Sequence, residues 1–325
     1  MQRNHFIRAA MLGAAVALAG APASAEDAYP SRPVKIIIGF APGSGTDVTA
    51  RIIAQDLQKS LNQTFLVENR PGAAVQIAAN LVKAAPPDGY TLLLTSNSSH
   101  SVNPHVFKVL AYDPVADFTP IGGVASMQFV VAVNPDVPVK TLPELVGWSR
   151  ANKGRVFYGY SGTVFRVPGE TINRTQQLGA TAVPFKSSPD AMTEVIAGRV
   201  QFLVVDLASS QPHLASKRLR ALAVTSTKRS AVMPELPTVE EALGLSDFDM
   251  AAWTGLFGPA NLPKPIVDKL SATLLKILST PEMRQRMLAA NIEPMPYDPA
   301  AFANFVKQQL KSWGTKVKDA GIEPE

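Results

Sequence analysis

The stretch VKIIIGFAPGSGTDVTAR, residues 34–51, decides the fold more than any other part of the chain. A run of β-branched apolar residues ends in a turn that contains Pro42, Gly43 and Gly45, and a helical pattern follows. A strand, glycine turn and helix in this order leave backbone N–H groups without partners at the positive end of a helix dipole. The stretch therefore predicts an α/β unit with an anion site at the turn, formed by Ala41, Pro42, Gly43, Ser44, Gly45, Thr46 and Asp47.

The same turn also has a purely structural interpretation. Glycine would then only supply positive φ, and Asp47 or Thr46 would cap the helix. The chain has no P-loop lysine pattern and no full GxGxxG here. Asp47 is expected to act as a cap in either case, because a carboxylate repels a carboxylate ligand.

The first 25 residues are typical of an export signal. Arg3 and Arg8 form a positively charged start, residues 9–19 are almost wholly apolar, and Ala23-Ser24-Ala25 matches a small-residue cleavage site. The apolar run is too short to span a bilayer. We expect cleavage after Ala25 and a periplasmic location.

The composition predicts a globular protein with a substantial core. Hydrophobic residues make up 46% and charged residues 18% of the 325 residues, enough chain for two domains. The formal net charge of +5 is not clustered, so no nucleic-acid partner is expected. Cysteine is absent, and His100 and His105 stand alone, so we expect no disulfide, no metal site and no cofactor.

Continuous apolar runs predict strands covered on both faces, and hence mainly parallel sheets flanked by helices. The clearest runs are Val34–Ile38, Thr91–Thr95, Phe129–Val133, Phe202–Val205 and Ala221–Thr225. Helix starts are predicted at Thr141, Ser188, Thr280 and Asp298.

Two Pro/Gly-rich breaks, at residues 120–123 and 258–265, adjoin apolar stretches suited to crossing between two lobes. Residues 26–126 and 254–325 are predicted to form lobe 1, and residues 127–253 lobe 2. A double crossover of this kind makes a hinge, and the cleft between the lobes is the expected ligand site.

Several further stretches carry a family resemblance that runs in order over almost the whole chain after the export signal. They are VENRP (Val67–Pro71), PDGYTLL (Pro87–Leu93), NPH (Asn103–His105), YDP (Tyr112–Pro114), DFTP (Asp117–Pro120), ALAVTSTKR (Ala221–Arg229), LPT (Leu236–Thr238) and WTGLF (Trp253–Phe257). The chain thereby resembles the Bug-type periplasmic solute receptors of tripartite tricarboxylate transporters. The resemblance implies an α/β, two-lobed class II periplasmic binding protein fold that closes on a small carboxylated solute.

In that family two loops hold the carboxylate, and they correspond here to Ala41–Asp47 and Tyr158–Glu170. The first keeps its expected character, whereas the second departs from the family pattern. It is about two residues shorter, and Arg166-Val167-Pro168-Gly169-Glu170 replaces an end that usually begins with histidine. The resemblance therefore implies the role but not the identity of the solute. It also implies a monomer that serves membrane transporter subunits or a periplasmic sensor domain.

The second loop contributes Tyr160, Ser161, Gly162 and Thr163 as candidate ligand contacts, through hydroxyl groups and close backbone approach. Arg166 has two interpretations. If it faces the cleft, its guanidinium binds a second acidic group, and if it faces outward, it is a surface charge near Glu170.

Other candidate contacts lie at strand ends, where open α/β sheets bind ligands. Ser96, Asn97 and Ser98 follow the Thr91–Thr95 strand and either contact the solute or form a polar turn. Phe185 and Asp206 complete the set, with Asp206 either accepting a hydrogen bond from the solute or holding a helix or hinge.

Two other functions stay open at this stage. Gly159-Tyr160-Ser161-Gly162 partly resembles a nucleophile elbow, which would make the protein a serine hydrolase using the same cleft. The second glycine of that motif is misplaced and no base follows at a suitable position, so we expect no catalysis. The altered second loop would also suit a sensor or interaction module for a signalling partner.

Overall fold

The computed structural model describes residues 29–230 and 232–325. The predicted export signal lies outside these residues. The eleven strands are β1 (Val34–Ile38), β2 (Phe65–Asn69), β3 (Thr91–Ser96), β4 (Phe118–Met127), β5 (Phe129–Val133), β6 (Phe157–Tyr160), β7 (Thr181–Pro184), β8 (Phe202–Asp206), β9 (Arg220–Val224), β10 (Ala252–Pro259) and β11 (Glu293–Pro294).

The helices cover both faces of the sheets. They are α1 (Gly45–Leu61), α2 (Gln76–Lys83), α3 (Asn103–Val106), α4 (Leu142–Ala151), α5 (Thr163–Thr175), α6 (Ser188–Ile196), α7 (Leu207–Ala215), α8 (Val239–Leu243), α9 (Lys264–Leu278), α10 (Pro281–Ala289) and α11 (Pro299–Asp319). A 3₁₀ turn spans Ala73–Val75, and a π-helical turn spans Ser98–Val102. In the described ranges no helix is both long enough and apolar enough to cross a membrane.

The strands form two separate sheets, so the α/β class with two lobes is confirmed. Lobe 1 contains the six-stranded sheet β11-β4-β10-β3-β1-β2, and lobe 2 contains the five-stranded sheet β7-β6-β8-β5-β9. Strands β1 and β5 have the predicted bounds, and Val34, Ile36 and Ile38 of β1 have no exposed surface. The continuous apolar runs thus mark strands that are buried on both faces.

The sheets are mixed, which corrects the prediction of mainly parallel ones. Strand β10 runs antiparallel to β3 and β4, and β5 runs antiparallel to β8 and β9. Strands β5 and β10 are the first strands after the two passages between the lobes. Each therefore enters its new sheet against the direction set by the βα units. The parallel pairs are β1 with β2 and β3, and β6 with β7 and β8.

The chain passes between the sheets at two adjacent places. Only Gln128 separates β4 from β5, and Ala251 precedes β10. Thr225 connects the two passages. Its carbonyl accepts a hydrogen bond from Met250 N–H, and its own N–H donates to Phe129 O. We keep the division into residues 26–126 with 254–325 and residues 127–253 as a proposal.

Local capping explains most of the helix starts. Thr141, Thr280 and Asp298 each accept a hydrogen bond from the backbone N–H three residues later, as predicted. Helix α6 differs slightly, because its cap is Ser187 and Ser188 is already helical. Pro189 then occupies the first turn, where a missing N–H costs nothing.

Close packing of α11 on lobe 1 depends on a glycine in β10. A Cβ added to Gly255 would lie 1.9 Å from Cζ of Phe302, whose ring packs 5.0 Å from that of Phe257. Gly255→Ala is expected to lower the free energy of unfolding by about 2 kcal/mol, because the buried ring must shift.

Urea unfolding of the single variants and of the double variant with Phe302→Leu tests this contact. The double variant should be more stable than the sum of the two single losses allows, since leucine leaves room for the new methyl group. Strict additivity would contradict the close contact.

Candidate functional site

A cavity of about 800 Å³ lies between the two lobes. Both predicted loops reach it, the first through Ala41 and Ser44 and the second through Ser161, Gly162 and Thr163. The remaining lining residues are Gly39, Phe40, Pro71, Gly72, Ala73, Ala74, Val75, Phe107, Tyr160, Arg166, Pro184, Phe185, Lys186, Ser187, Ser188, Asp190 and Glu325.

A small pocket of about 10 Å³ adjoins this cavity and shares Phe40, Ser44 and Ser188 with it. Its other lining residues are Gly45, Thr46, Ser96, Met127, Phe129, Val164, Phe165, Asp206 and Ala252. Residues of both lobes close this pocket, so it marks the inner end of the cleft.

The first loop is held by its own side chains. Ser44 Oγ accepts a hydrogen bond from Asp47 N–H at 3.3 Å, and Asp47 Oδ2 accepts one from Gly43 N–H at 3.0 Å. Burial tends to raise the pKa of the Asp47 carboxyl, but hydrogen bonds from Arg51, Gly43 and Asn69 hold it below its usual value. Asp47 therefore stays ionised as part of the scaffold.

The cap of α1 is Ser44, which corrects the expectation that Asp47 or Thr46 caps this helix. The helix begins at Gly45, before both of those residues, so they lie inside its first turn. The side chain of Ser44 thus has a structural role, while Ser44 also lies on the wall of the cavity.

Asp206 connects the two lobes at the inner end. Its carboxylate accepts hydrogen bonds from Ser209 N–H at 2.7 Å and Ser209 Oγ at 2.8 Å, and so caps α7. It also faces the first turn of α1, since a Cβ added to Gly45 would lie 2.5 Å from Asp206 Oδ1. Burial raises the pKa of the Asp206 carboxyl, while the Ser209 and Gly45 amides oppose that shift. These contacts are those of a residue that holds helices together.

The second loop is shorter than predicted, because Thr163–Glu170 is already helical. Gly169 and Pro168 suggest a loop in the sequence, but Gly169 instead permits close packing. A Cβ there would lie 2.7 Å from Cε2 of Tyr158. Helix α5 accordingly begins at Thr163, directly on the cavity.

The start of α5 has no side-chain cap. Gly162 precedes the helix at φ 86° and ψ 160°, a conformation that favours glycine. Ser161 Oγ lies 2.8 Å from Ser188 Oγ, and Thr163 Oγ1 donates to Asn103 Oδ1 of lobe 1 at 2.8 Å. Phe165 N–H donates to Gly162 O at 3.3 Å, so the N–H groups of Thr163 and Val164 are the ones left to a ligand or to water.

Four helices begin at the cavity or at its inner pocket, namely α1, α5, α6 and α7. Each helix N-terminus carries roughly half a positive charge. Asp47, Asp190 and Asp206 offset the charge at α1, α6 and α7, whereas α5 has no acidic residue in its first turn. The start of α5 is therefore the helix end best suited to a carboxylate.

The outer end carries charged side chains. Arg166 lines the cavity, and its Nη1 lies 3.3 Å from Oε1 of Glu325. The guanidinium also lies 5.9 Å from the ring centre of Tyr160. Arg166 thus faces the cleft, and its binding of a second acidic group stays a prediction. Glu170 instead accepts a hydrogen bond from the Tyr158 hydroxyl.

The structure distributes the predicted site residues over three places. The main cavity takes Ala41, Ser44, Tyr160, Ser161, Gly162, Thr163, Arg166 and Phe185. The inner pocket takes Gly45, Thr46, Ser96 and Asp206. Pro42, Gly43, Asp47, Asn97 and Ser98 line neither.

Asn97 and Ser98, which are predicted either to contact the solute or to form a polar turn, are both buried. Strand β3 continues through Ser96, and the π-helical turn directs the next residues into lobe 1. Asn97 Nδ2 donates to Ala251 O at 3.3 Å, where the chain enters β10. Its side chain therefore contacts the crossover and not the cleft.

Two parts of the wall are not among the predicted site residues, namely Pro71–Val75 and the group Ser187, Ser188 and Asp190. The first contains Ala73, Ala74 and Val75, with φ of 45°, 51° and 66°. Such positive values are costly for residues with a Cβ. Val75 is held there by close contact with Gly39, where a Cβ would lie 2.7 Å from Val75 Cβ.

Ala74→Gly is expected to raise the free energy of unfolding by about 0.5–1 kcal/mol, because glycine relieves the left-handed strain. Ala84→Gly is the matched control. Ala84 has φ −84°, so glycine there only adds flexibility to the unfolded chain and should destabilise. Thermal melting of both variants checks the opposite signs, and equal losses would contradict the strain.

Within residues 29–230 and 232–325, no group of three or more His, Asp or Glu side chains is placed to hold a metal ion. His105 Nε2 instead lies 2.8 Å from Leu310 O, in a contact between α3 and α11.

The chain as a whole is similar to several known proteins. The profile described as "Tripartite tricarboxylate transporter family receptor" (TctC) matches residues 49–322. Protein BugT of Bordetella pertussis is 30% identical, with 97% of each chain covered.

Two solved structures with bound ligands are also similar. Rpa4515 of R. palustris with adipate has a TM-score of 0.89 at 31% identity, covering 91% of this chain and 100% of its own. MatC (Rpa3494) of Rhodopseudomonas palustris with bound malate has a TM-score of 0.83 at 31% identity, covering 89% and 100%.

Proposed function

The chain belongs to the tripartite tricarboxylate transporter receptor family, TctC, and we propose that it binds a small carboxylated solute in the cleft between its lobes. Closure of the lobes would trap the acid and present it to the membrane subunits of a transporter. The site residues, the periplasmic location and the partner subunits are all part of this proposal.

One observation carries it: the two predicted loops line a single cavity from opposite lobes. The uncapped N-terminus of α5 lies on one side, and Ala41 and Ser44 lie on the other. Backbone N–H groups and small hydroxyls at these positions can donate to both oxygens of one carboxylate. A carboxylate held by both loops would also hold the lobes together.

The bound ligands of two relatives support the chemical class. Adipate and malate are both dicarboxylic acids, and the chains that bind them align over nearly the whole of this one. Exclusion of water from the closed cleft strengthens each hydrogen bond to the acid. A micromolar dissociation constant, about −8 kcal/mol, is thus within reach without a buried counter-charge.

A hydrolase has little support in this geometry. Ser161 Oγ has Ser188 Oγ as its partner, and no histidine is among the described residues that line the cavity. A nucleophilic serine needs a base within hydrogen-bond distance. A sensor role would use the same solute site with a different partner.

Native mass spectrometry of the protein, purified without refolding, tests the proposal. The folded protein should carry the additional mass of a small carboxylic acid, and that acid should be released on denaturation. An empty protein whose melting temperature also stays unchanged across a broad panel of mono- and dicarboxylic acids would contradict it.

A further inference from the structure

An ion pair bridges the two lobes at the outer end of the cavity. Arg166 belongs to α5 of lobe 2, and Glu325 follows α11, which packs on lobe 1. Arg166 Nη1 lies 3.3 Å from Glu325 Oε1. Both residues line the cavity, so the contact lies where the distal part of a bound acid would reach.

The backbone of Glu325 is fixed in place. Its N–H donates to Val106 O at 3.0 Å, and its own carbonyl accepts from Lys108 N–H at 3.0 Å. The segment thereby pairs with the end of α3, and the Glu325 side chain points to the guanidinium. Lobe 1 therefore holds the backbone of Glu325 at a position from which its carboxylate reaches Arg166.

Resting on the proposed function, we propose that Glu325 is a specificity-determining residue that occupies Arg166 as an internal carboxylate. A solute with a second carboxylate competes with Glu325 for the guanidinium. A monocarboxylic acid of the same length leaves the pair intact.

The exposure of the two side chains determines how strongly Glu325 opposes the binding of a dicarboxylic acid. Arg166 is 26% exposed and Glu325 is 67% exposed, so the pair is screened by solvent and can be broken. Glu325 therefore reduces the binding of dicarboxylic acids without preventing it. Its removal leaves the guanidinium free for bidentate contact with the second carboxylate.

Calorimetry on the full chain tests this with pairs of straight-chain mono- and dicarboxylic acids of equal length. The variant is Glu325→Gln, and the matched control is Glu323→Gln, which removes the same charge from an exposed position two residues earlier. We expect Glu325→Gln to raise the affinity for the dicarboxylic member about fivefold relative to the monocarboxylic member. The control should leave that ratio within about twofold of its original value.

The outcomes separate the two proposals. An unchanged ratio in Glu325→Gln, with binding intact, overturns the role of Glu325 and leaves the receptor function standing. An equal rise in both Gln variants also overturns it, because the effect would then be one of net charge. Absence of binding by every acid to every protein contradicts the receptor function itself.

Discussion

Replacement of Ser161 by aspartate is expected to lower the affinity for a carboxylic acid at least about a hundredfold. Ser161 is only 7% exposed and lies on the cavity wall, just before the uncapped start of α5. An aspartate there places a fixed negative charge where the solute carboxylate is proposed to bind. Isothermal titration calorimetry with the acid identified by native mass spectrometry measures the loss.

Ser161→Asn is the matched control, because asparagine has nearly the same shape as aspartate but carries no charge. Its loss should stay within about tenfold. The aspartate variant should remain folded, since its carboxylate lies near a helix N-terminus and within reach of the Ser188 hydroxyl. Equal losses in both variants would indicate a steric effect, and full affinity in Ser161→Asp would contradict the proposed position of the carboxylate.

Acidification is expected to destabilise the folded protein through His100. This side chain is fully buried in lobe 1, its ring stacks 4.1 Å from that of Phe257, and its Nδ1 lies 2.8 Å from Ser99 Oγ. Burial lowers the pKa of His100 from 6.5 to about 3. The unfolded chain therefore binds a proton at this residue well before the folded chain does.

The sign of the effect follows from that difference. The stability contribution is fully present above pH 6.5 and is lost as the pH falls toward 3. The slope approaches about 1.4 kcal/mol per pH unit, and the full loss is on the order of 5 kcal/mol.

Urea unfolding of the wild type and of His100→Phe across this pH range measures the effect, and the difference between the two proteins is the readout. Other groups titrate in both proteins, including Asp206, whose raised pKa acts in the opposite direction as the pH rises. The free energy of unfolding of the wild type minus that of His100→Phe should fall steadily as the pH falls. Parallel curves would contradict a buried neutral His100.

The strands and helix starts could be predicted because their signals are local. Strands β1 and β5 are continuous apolar runs, and Thr141, Thr280 and Asp298 carry their caps beside them in the sequence. The direction of β10 and β5 in their sheets has no such signal. It depends on which lobe the chain comes from, and that is a property of the whole fold.

In the candidate site, too, some features have a local sequence signal and others depend on the whole fold. The glycine turn before α1 could be recognised from residue types alone. The second loop is identified from the family resemblance, and the start of α5 at Thr163 is not predicted, because Pro168 and Gly169 suggest a loop there. The left-handed segment Ala73–Val75 could not, because alanine and valine disfavour positive φ and are held there by packing. Glu325 reaches the cavity only through its pairing with α3, which lies more than two hundred residues away in the sequence.

A crystal structure of the protein with its co-purifying acid tests the central claim most directly. The account predicts one carboxylate between the lobes, within hydrogen-bond distance of groups from both Ala41–Ser44 and Ser161–Thr163. An acid held by only one of these segments, or bound outside the cavity, would contradict it.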